Sequence, residues 1–367
     1  MENKSKLDIA REKINEIDRQ MCELFLKRMD AVRMVAEHKI EHALPIFDAK
    51  RESDIIAKNS QAVEDAELRE YYVRFIQNNM SISRAYQERL ISGMKIAYSG
   101  ITGAYANIAA RKIFKDATYV SCTDFKSAYD SVVNGECDCA VLPIENSTAG
   151  EVGAVLDMMF SGPLCISGVY DLFITHNLVA KKGTKISDIK EVVSHPQALA
   201  QCSPYIRKMG FSTHEAENTA RAARFVAEND SFEVAAIASE ETAELYGLEV
   251  LARSVNEKNI NTTRFATFVR ARESAVGDES KHSILMFTAK NVAGSLAEAI
   301  NVIGKNGYNM RCLRSRPMKE LLWQYYFYVE TEGNLDTKRG RKMIEELSSM
   351  CDMIKVIGSF DYPSELR

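Results

Sequence analysis

Apolar residues Leu7, Ile14, Ile17, Met21, Leu24, Phe25, Val32, Val35 and Ile40 recur at helical spacing and predict one long helix from about Ser5 to Ile40. At about 1.5 Å per residue it runs over roughly 50 Å, more than two short helices of its own domain can cover. Its stripe is therefore expected to be buried in a partner subunit. Pro45, in Glu41-His42-Ala43-Leu44-Pro45, marks where this helix stops and a turn begins. A second helix is expected from about Phe47 to Asn59 and a third from about Ala66 to Ser92.

From Met94 the pattern changes to short β-rich runs that alternate with helical stretches and glycine turns. The runs are Lys95-Ile96-Ala97-Tyr98, Ala140-Val141-Leu142-Pro143-Ile144, Glu191-Val192-Val193, Val234-Ala235-Ala236-Ile237-Ala238 and Thr267-Phe268-Val269-Arg270. This is an α/β pattern and spans roughly Met94 to Glu273. A polar stretch, Ser274 to Lys281, reads as a linker. The last segment reads as strand (Ser283–Thr288), helix (Gly294–Lys305), two strands (Tyr308–Arg316 and Leu322–Glu330), helix (Asp336–Met350) and strand (Met353–Ser359). That βαββαβ order is ferredoxin-like, an arrangement that says little about function by itself.

Glycine usage supports the first boundary: Met1 to Ser92 contains none of the 18 glycines, as an all-helical segment would. The 367 residues are 46% hydrophobic and 27% charged, as in ordinary globular proteins, which argues against disorder or a rod. A net charge of −4 lacks the basic excess of a nucleic-acid binder. No apolar run is long enough to span a bilayer, and Met1–Arg11 lacks the apolar core of a signal peptide, so a cytoplasmic location without membrane contact is expected. Eight cysteines are too few for a disulfide framework, and Cys137-Asp138-Cys139 has no second ligand pair, so it reads as a buried strand end. No metal and no cofactor are expected.

In the helical segment Arg28 and Lys39 lie about 20° apart around the axis, where one anion could see both. Arg11 lies roughly 25 Å up the axis from Arg28 and about 100° round, so if it joins a site, it joins another chain's. Asp48, Arg51 and Glu52, and likewise Ser83 and Gln87, have spacings that present polar groups on one side of a helix. Each alone also reads as a solvated face with intrahelical salt bridges. In the α/β block four motifs sit at strand edges, where such proteins place ligands: Gly100-Ile101-Thr102-Gly103-Ala104-Tyr105, Pro143-Ile144-Glu145-Asn146-Ser147-Thr148-Ala149-Gly150, Ser194-His195-Pro196-Gln197 and Asn261-Thr262-Thr263-Arg264-Phe265. The first is not a dinucleotide fingerprint, which disfavours a nicotinamide dehydrogenase, and there is no Gly-Lys-Ser/Thr phosphate loop. Turns and helix caps are the bland alternative.

Taken together, Leu7, Arg11, Ile14, Asp18, Arg28, Lys39, Pro45, Asp48, Arg51, Glu52 and Ser83-Arg84-Ala85-Tyr86-Gln87 resemble the helical chorismate mutase family. The resemblance implies a dimer of three-helix chains with crossed long helices. It assigns the two carboxylates of chorismate to Arg28 and the partner's Arg11. It assigns the ether oxygen to Lys39 and Gln87, the ring hydroxyl to Asp48 and Glu52, and the remaining polar wall to Arg51 and Ser83. The α/β block resembles prephenate dehydratase through Pro-Ile-Glu-Asn, Ser-His-Pro-Gln and Thr-Arg-Phe in that order. This implies two lobes similar to a type 2 periplasmic binding protein, with prephenate between them. Thr263 would assist departure of the ring hydroxyl, Asn146, Ser194 and Gln201 would be polar contacts, Arg264 a carboxylate partner, and His195 would orient its loop. Gly103-Ala104-Tyr105-Ala106 departs from the usual Gly-Ser-Tyr-Ser, which leaves that turn outside the expected catalytic set.

The last segment resembles an ACT domain, a fold that in this family binds phenylalanine between two chains. Its motifs read Gly294-Ser295-Leu296-Ala297 and Arg314-Ser315-Arg316-Pro317, so Gly294, Leu296, Asn309, Arg314 and Ser315 are the implied regulatory positions. Arg314 stands where the family has Glu, and weakened phenylalanine binding is expected. The whole is expected to be multidomain: an all-α three-helix mutase over 1–92, a two-lobed α/β dehydratase over 94–273 and an α+β ACT domain over 282–362. It would convert chorismate through prephenate to phenylpyruvate as a homodimer or tetramer, with L-phenylalanine as allosteric ligand. A non-enzymatic amino-acid sensor and a dehydratase with a decayed mutase are the competing readings.

Overall fold

The structure is a computed structural model that describes residues 5–256, 261–271, 281–318 and 324–366. The chain divides into two compact units, Met1–Met94 and Lys95–Arg367. The expected linker lies outside the described residues except for Lys281.

The first unit is three helices, α1 (Lys6–Glu41), α2 (Ala49–Ser60) and α3 (Ala66–Ser92). A capping box opens α1: Ser5 Oγ accepts from the Asp8 amide at 3.1 Å while the Asp8 carboxylate accepts from the Ser5 amide at 3.2 Å. The second helix begins at Ala49 because Asp48 is its cap and accepts from the Arg51 amide at 3.0 Å. In α1 only Val32 and Ala36 are buried, and Leu7, Ile14, Ile17 and Leu24 are each more than half exposed. The amphipathic stripe is thus left exposed over most of its length among the described residues of the first unit.

The second unit opens with a lobe of β1 (Met94–Ser99), α4 (Tyr105–Ile113), β2 (Ala117–Cys122), α5 (Phe125–Val133), β3 (Cys139–Asn146), β4 (Gly150–Glu151), α6 (Gly153–Ser161) and β5 (Cys165–Phe173). The chain then crosses to a second lobe built from β6 (Asn177–Ala180), β7 (Glu191–Ser194), α7 (Pro196–Gln201), α8 (Ser203–Met209), β8 (Ser212–Glu215), α9 (Thr219–Glu228), β9 (Val234–Ala238), α10 (Glu240–Leu245) and β10 (Glu249–Ala252). It returns through β11 (Thr262–Val269), which inserts antiparallel between β5 and β3. The second lobe's sheet has the order β10-β6-β9-β7-β8. Cys137 and Cys139 are buried where β3 begins, and burial pushes the Cys139 thiol up to about 12.

A third sheet carries β12 (His282–Thr288), α11 (Ser295–Lys305), β13 (Met310–Pro317), β14 (Tyr325–Glu332), α12 (Lys338–Ser348) and β15 (Ile354–Phe360) in the order β13-β14-β12-β15, every pair antiparallel. The expected βαββαβ order is present, and the sheet shares a core with the first lobe. One face of the sheet packs Leu285, Phe287 and Val329 against its own helices. The other packs Ile284, Met286, Tyr326 and Ile357 into the same core as Leu156, Met159 and Ile166 of the first lobe. Phe160 and Tyr326 stack across this contact with ring centroids 4.4 Å apart. Lys355 donates to the Met159 carbonyl at 2.7 Å and to the Gly162 carbonyl, so a cation sits at the C-terminal end of α6. The expected boundary at 362 is also passed: β16 (Ser364–Leu366) returns to pair parallel with β5.

Docking at this interface depends on a missing side chain. A Cβ on Gly358 of β15 would collide with the Ile166 backbone carbonyl of β5, which has no flexible end to move aside. Gly358→Ala is expected to cost about 2 kcal/mol and to lower the calorimetric midpoint of the second unit by roughly 4–8 °C. An unchanged midpoint would show that the two strands separate easily.

Candidate active sites

In the first unit a polar seam forms where α1 meets α3. Arg28 donates to the Asn79 carbonyl at 3.1 Å and to the Ser83 hydroxyl, and burial lowers its pKa from the ordinary value. One turn on, Gln87 is buried; its amide nitrogen donates to the Ser83 carbonyl at 3.3 Å and its Oε1 has no partner among the described residues. At the other end of α1, Lys39 Nζ reaches the Ile46 carbonyl at 2.5 Å. Glu52 forms an ion pair with Arg84, whose guanidinium lies 5.6 Å from the Phe47 ring centroid. Arg84 is a site neighbour the sequence reading left unassigned, although it stands inside the Ser83–Gln87 motif. The Asp48 carboxylate caps α2 through Oδ1, and Glu52 meets Arg84 through Oε1. Arg51 and Arg11 are exposed, and Arg11 belongs to the unpartnered part of α1. His38, Glu41 and His42 bring ligand atoms within 4.8 Å of one another at the exposed end of α1.

In the second unit a cavity of about 450 Å³ opens between the lobes. Its floor comes from β3 and β11, which pair Asn146 with Thr263 and Glu145 with Arg264. Paired residues of antiparallel strands share a face, so Asn146 and Thr263 look into the cavity and Glu145 and Arg264 look away from it. A bulge next to Arg264 shifts the pairing to Phe265–Pro143, which brings Pro143 onto the cavity face three residues from Asn146.

A dense hydrogen-bond network lines this floor. Asn146 Oδ1 accepts from the Thr148 amide (3.0 Å), the Ala149 amide (2.9 Å) and the Thr148 hydroxyl (2.7 Å). Its Nδ2 donates to Asn261 Oδ1 and to Thr263 Oγ1, both at 2.9 Å. Asn261 Nδ2 donates to Gln201 Oε1 at 2.8 Å, and Gln201 Nε2 donates to the Thr148 hydroxyl at 2.7 Å. His176 Nε2 lies 2.9 Å from Gln201 Oε1, and Tyr105 Oη lies 3.2 Å from His176 Nδ1. Burial holds His176 below its ordinary pKa against the raising effect of Gln201, and burial raises Tyr105 well above the usual phenol range.

Asn146, Gln201 and Thr263 are therefore brought together. Tyr105, Thr148, His176 and Asn261 join them, and of these only His176 lay outside the four motifs noted in the sequence. His195 caps α7, accepting from the Gln197 amide at 3.3 Å, and lines the cavity. The glycine turn also belongs to the site: Gly100, Ala104, Tyr105 and Ala106 line it, and Gly100 and Gly103 take φ of +93° and +90°. Its carbonyls are tied to the second lobe by Thr242 (to Gly103, 2.7 Å) and Tyr246 (to Thr102, 2.9 Å).

Two expected contacts do not reach the cavity. Ser194 is wholly buried and donates to the Ile237 carbonyl at 2.7 Å, so it joins β7 to β9 behind the cleft wall. Arg264 faces the third sheet, bonded to Asp171 at 2.8 and 3.1 Å and 3.7 Å from Glu330; the Asp171 hydrogen bonds raise its pKa. Arg314 also meets this back face. Strand alternation turns Arg314 and Arg316 inward and Ser315 outward, and Arg314 pairs with Glu145 while Arg316 pairs with Glu151 and Asp157. Gly294 (φ +89°) and Leu296 instead line a separate cavity of about 750 Å³ with Ile300, Tyr325 and Phe327. One chain does not unite them with Arg314, Ser315 or Asn309; Asn309 is bonded to Glu332 at 3.0 Å.

Residues 10–88 match the chorismate mutase type II family and residues 96–273 match the prephenate dehydratase family. A bifunctional chorismate mutase/prephenate dehydratase of Buchnera aphidicola is 30% identical over 380 residues, covering 100% of this chain and 98% of the relative. Among solved structures, a prephenate dehydratase from Arthrobacter aurescens in complex with L-Phe matches 73% of this chain and 90% of its own at 27% identity and a TM-score of 0.68. A protein described as a novel type of quorum-quenching acylase matches 74% of this chain and 98% of its own at 29% identity and a TM-score of 0.67. A helical isomerase unit is thus joined to a two-lobed lyase. The chain belongs to the bifunctional chorismate mutase/prephenate dehydratase family and carries both enzyme domains of phenylalanine biosynthesis. Among the described residues no helix is long and apolar enough to cross a membrane.

The position of Ser194 yields a direct check. Ser194→Ala removes one buried hydrogen bond and should cost about 1–2 kcal/mol in a denaturant titration, with KM for prephenate changed by less than about twofold. A large rise in KM at unchanged stability would restore Ser194 as a substrate contact.

Proposed function

We propose that Thr263 is the proton donor of prephenate dehydration, and the observation that carries this is the bond from Asn146 Nδ2 to Thr263 Oγ1 on the cavity face. A hydroxyl that accepts from an amide keeps its own hydrogen free to point elsewhere, here into the cleft. As the ring carboxylate leaves as carbon dioxide, its electron pair enters the ring and the C–O bond to the ring hydroxyl breaks. Thr263 gives its hydrogen to the departing oxygen, which leaves as water, and is reprotonated from solvent. Aromatisation supplies the driving force, so one well-placed donor suffices.

The described residues lining the cleft include no lysine or arginine, so the anionic groups of prephenate are met by other positive poles. The first turn of α4 is the best placed, because its cap, Ala104, offers no side-chain acceptor and leaves the helix amides available. Gln201 and Gln197 add side-chain donors. An acyl-transfer reading is not favoured: Thr263 Oγ1 is bonded to an amide donor, where a nucleophile needs a base.

For the mutase, the pericyclic rearrangement of chorismate needs positioning and charge, with no proton transfer. Arg28, Lys39 and Gln87 supply donors along the α1–α3 seam, and the partner's Arg11 completes the site when the exposed stripes of two α1 helices pack together. The sheet of β12 to β15 is read as an ACT domain whose cavity at Gly294 takes L-phenylalanine, a reading supported by the Arthrobacter protein's having been solved in complex with L-Phe. Arg314, turned toward Glu145, then acts on docking of this sheet rather than on the ligand's ammonium.

Two assays separate the activities. Thr263→Val should lower the dehydratase kcat by at least about 100-fold while mutase activity stays near normal, and Lys39→Ala should do the reverse. A full dehydratase rate in Thr263→Val would remove the donor assignment. Mixing Arg11→Ala with Arg28→Ala protein should restore part of the mutase activity, since a hybrid dimer regains one intact site; absence of recovery in verified heterodimers would show that each chain's site is its own.

A further inference from the structure

The network beneath the cleft has a fixed direction, and it can be read one bond at a time. Two backbone amides, those of Thr148 and Ala149, point at one atom of Asn146, which must therefore be the carbonyl oxygen. Its nitrogen then donates to Asn261, which fixes the Asn261 oxygen, and the Asn261 nitrogen in turn fixes the oxygen of Gln201. The Gln201 oxygen faces His176 Nε2 at 2.9 Å, so that ring nitrogen must carry a hydrogen. The Tyr105 hydroxyl has two acceptors in reach, His176 Nδ1 at 3.2 Å and the Thr175 carbonyl at 3.4 Å, and its bond to the nearer one leaves Nδ1 as an acceptor.

We infer that His176, held by Tyr105 as a neutral imidazole with its proton on Nε2, is a positioning residue for prephenate dehydration that locks the flip of Gln201 and, through Asn261, reinforces the Asn146 orientation that the Thr148 and Ala149 amides set and from which Thr263 presents its hydroxyl hydrogen. A flipped Gln201 would turn its nitrogen toward two donors, His176 Nε2 and Asn261 Nδ2, and lose its bond to Thr148. Without His176 the flip is opposed, among the described residues, by Asn261 and by the bond to Thr148 alone, and one of the two donors that fix the Gln201 oxygen is gone. The residue is 3% exposed, its backbone amide is bonded to Asn256 at 3.2 Å, and its ring meets Tyr105 edge-on at 6.1 Å, so packing holds the ring in place. Gln201 also borders the cavity, which makes its second amide hydrogen available to substrate only in the orientation His176 enforces.

This inference rests on Thr263 as the donor, and the tests keep the two apart. In the full-length protein, nitrogen-15 correlation spectra of the six histidines should show His176, assigned by its loss in His176→Phe, as the Nε2–H tautomer at about pH 7.5. An Nδ1–H tautomer or an imidazolium would overturn the inference whatever the variants do. In His176→Phe the dehydratase kcat should fall about 10- to 100-fold with KM within about threefold, the mutase rate serving as the count of active protein. If His176 acts through Gln201, the double variant His176→Phe/Gln201→Ala loses no more than Gln201→Ala alone. Additive losses, or a full kcat in His176→Phe, would overturn the positioning role. Should the donor assignment be the part at fault, Thr263→Val keeps its rate while the tautomer of His176 stands.

Discussion

The antiparallel register between β3 and β11 is the constraint on which the second unit depends. It pairs Asn146 with Thr263 and Glu145 with Arg264, and because paired residues share a face, one motif is split into two functions. Asn146 and Thr263 face the cleft; Glu145 and Arg264 face the third sheet. A slip of one residue would turn Asn146 and Thr263 toward the protein interior and the charged pair into the cleft. The bulge beside Arg264 ends the simple alternation where it is no longer needed and lets Pro143 close the cavity floor.

The charged back face explains why the third sheet does not stand apart. Arg314 meets Glu145, Arg264 bridges Asp171 and Glu330, and Arg316 reaches Glu151 and Asp157, around an apolar contact that includes Phe160 and Tyr326. Removing one partner from a half-buried pair leaves a charge without compensation, so these contacts select one docking geometry as much as they stabilise it. A displacement of β13 would be felt at Glu145, one residue from Asn146.

The two activities answer an anionic substrate in different ways. The helical unit offers guanidinium and ammonium groups along α1, with Arg28 partly buried against Ser83. Those charges remain in place because neighbouring hydroxyl and carbonyl oxygens accept their hydrogens. The cleft instead presents amides: side-chain amides ordered by one another, and backbone amides at helix starts such as α4. Amide donors carry no full charge to desolvate, which suits a narrow pocket whose reaction ends in an aromatic product.

The sequence alone determined the three helices, the α/β alternation and the βαββαβ order, because each rests on local periodicity and on where glycine and proline stand. Its strand-edge motifs contain Asn146 and Thr263, and the family resemblance implied Gln201 beside them; all three line the cleft. Only tertiary structure decided which face each neighbour takes and what it meets. Ser194 and Arg264 lie in recognised motifs yet turn away from the cleft, and Arg314 pairs with a carboxylate 169 positions earlier in the chain. His176 and Tyr105 are 71 positions apart, and β16 finds β5 after the whole third sheet has intervened. Such contacts depend on strand pairing between remote segments and on the docking of one sheet on another, and no local pattern of hydrophobic and polar residues encodes them.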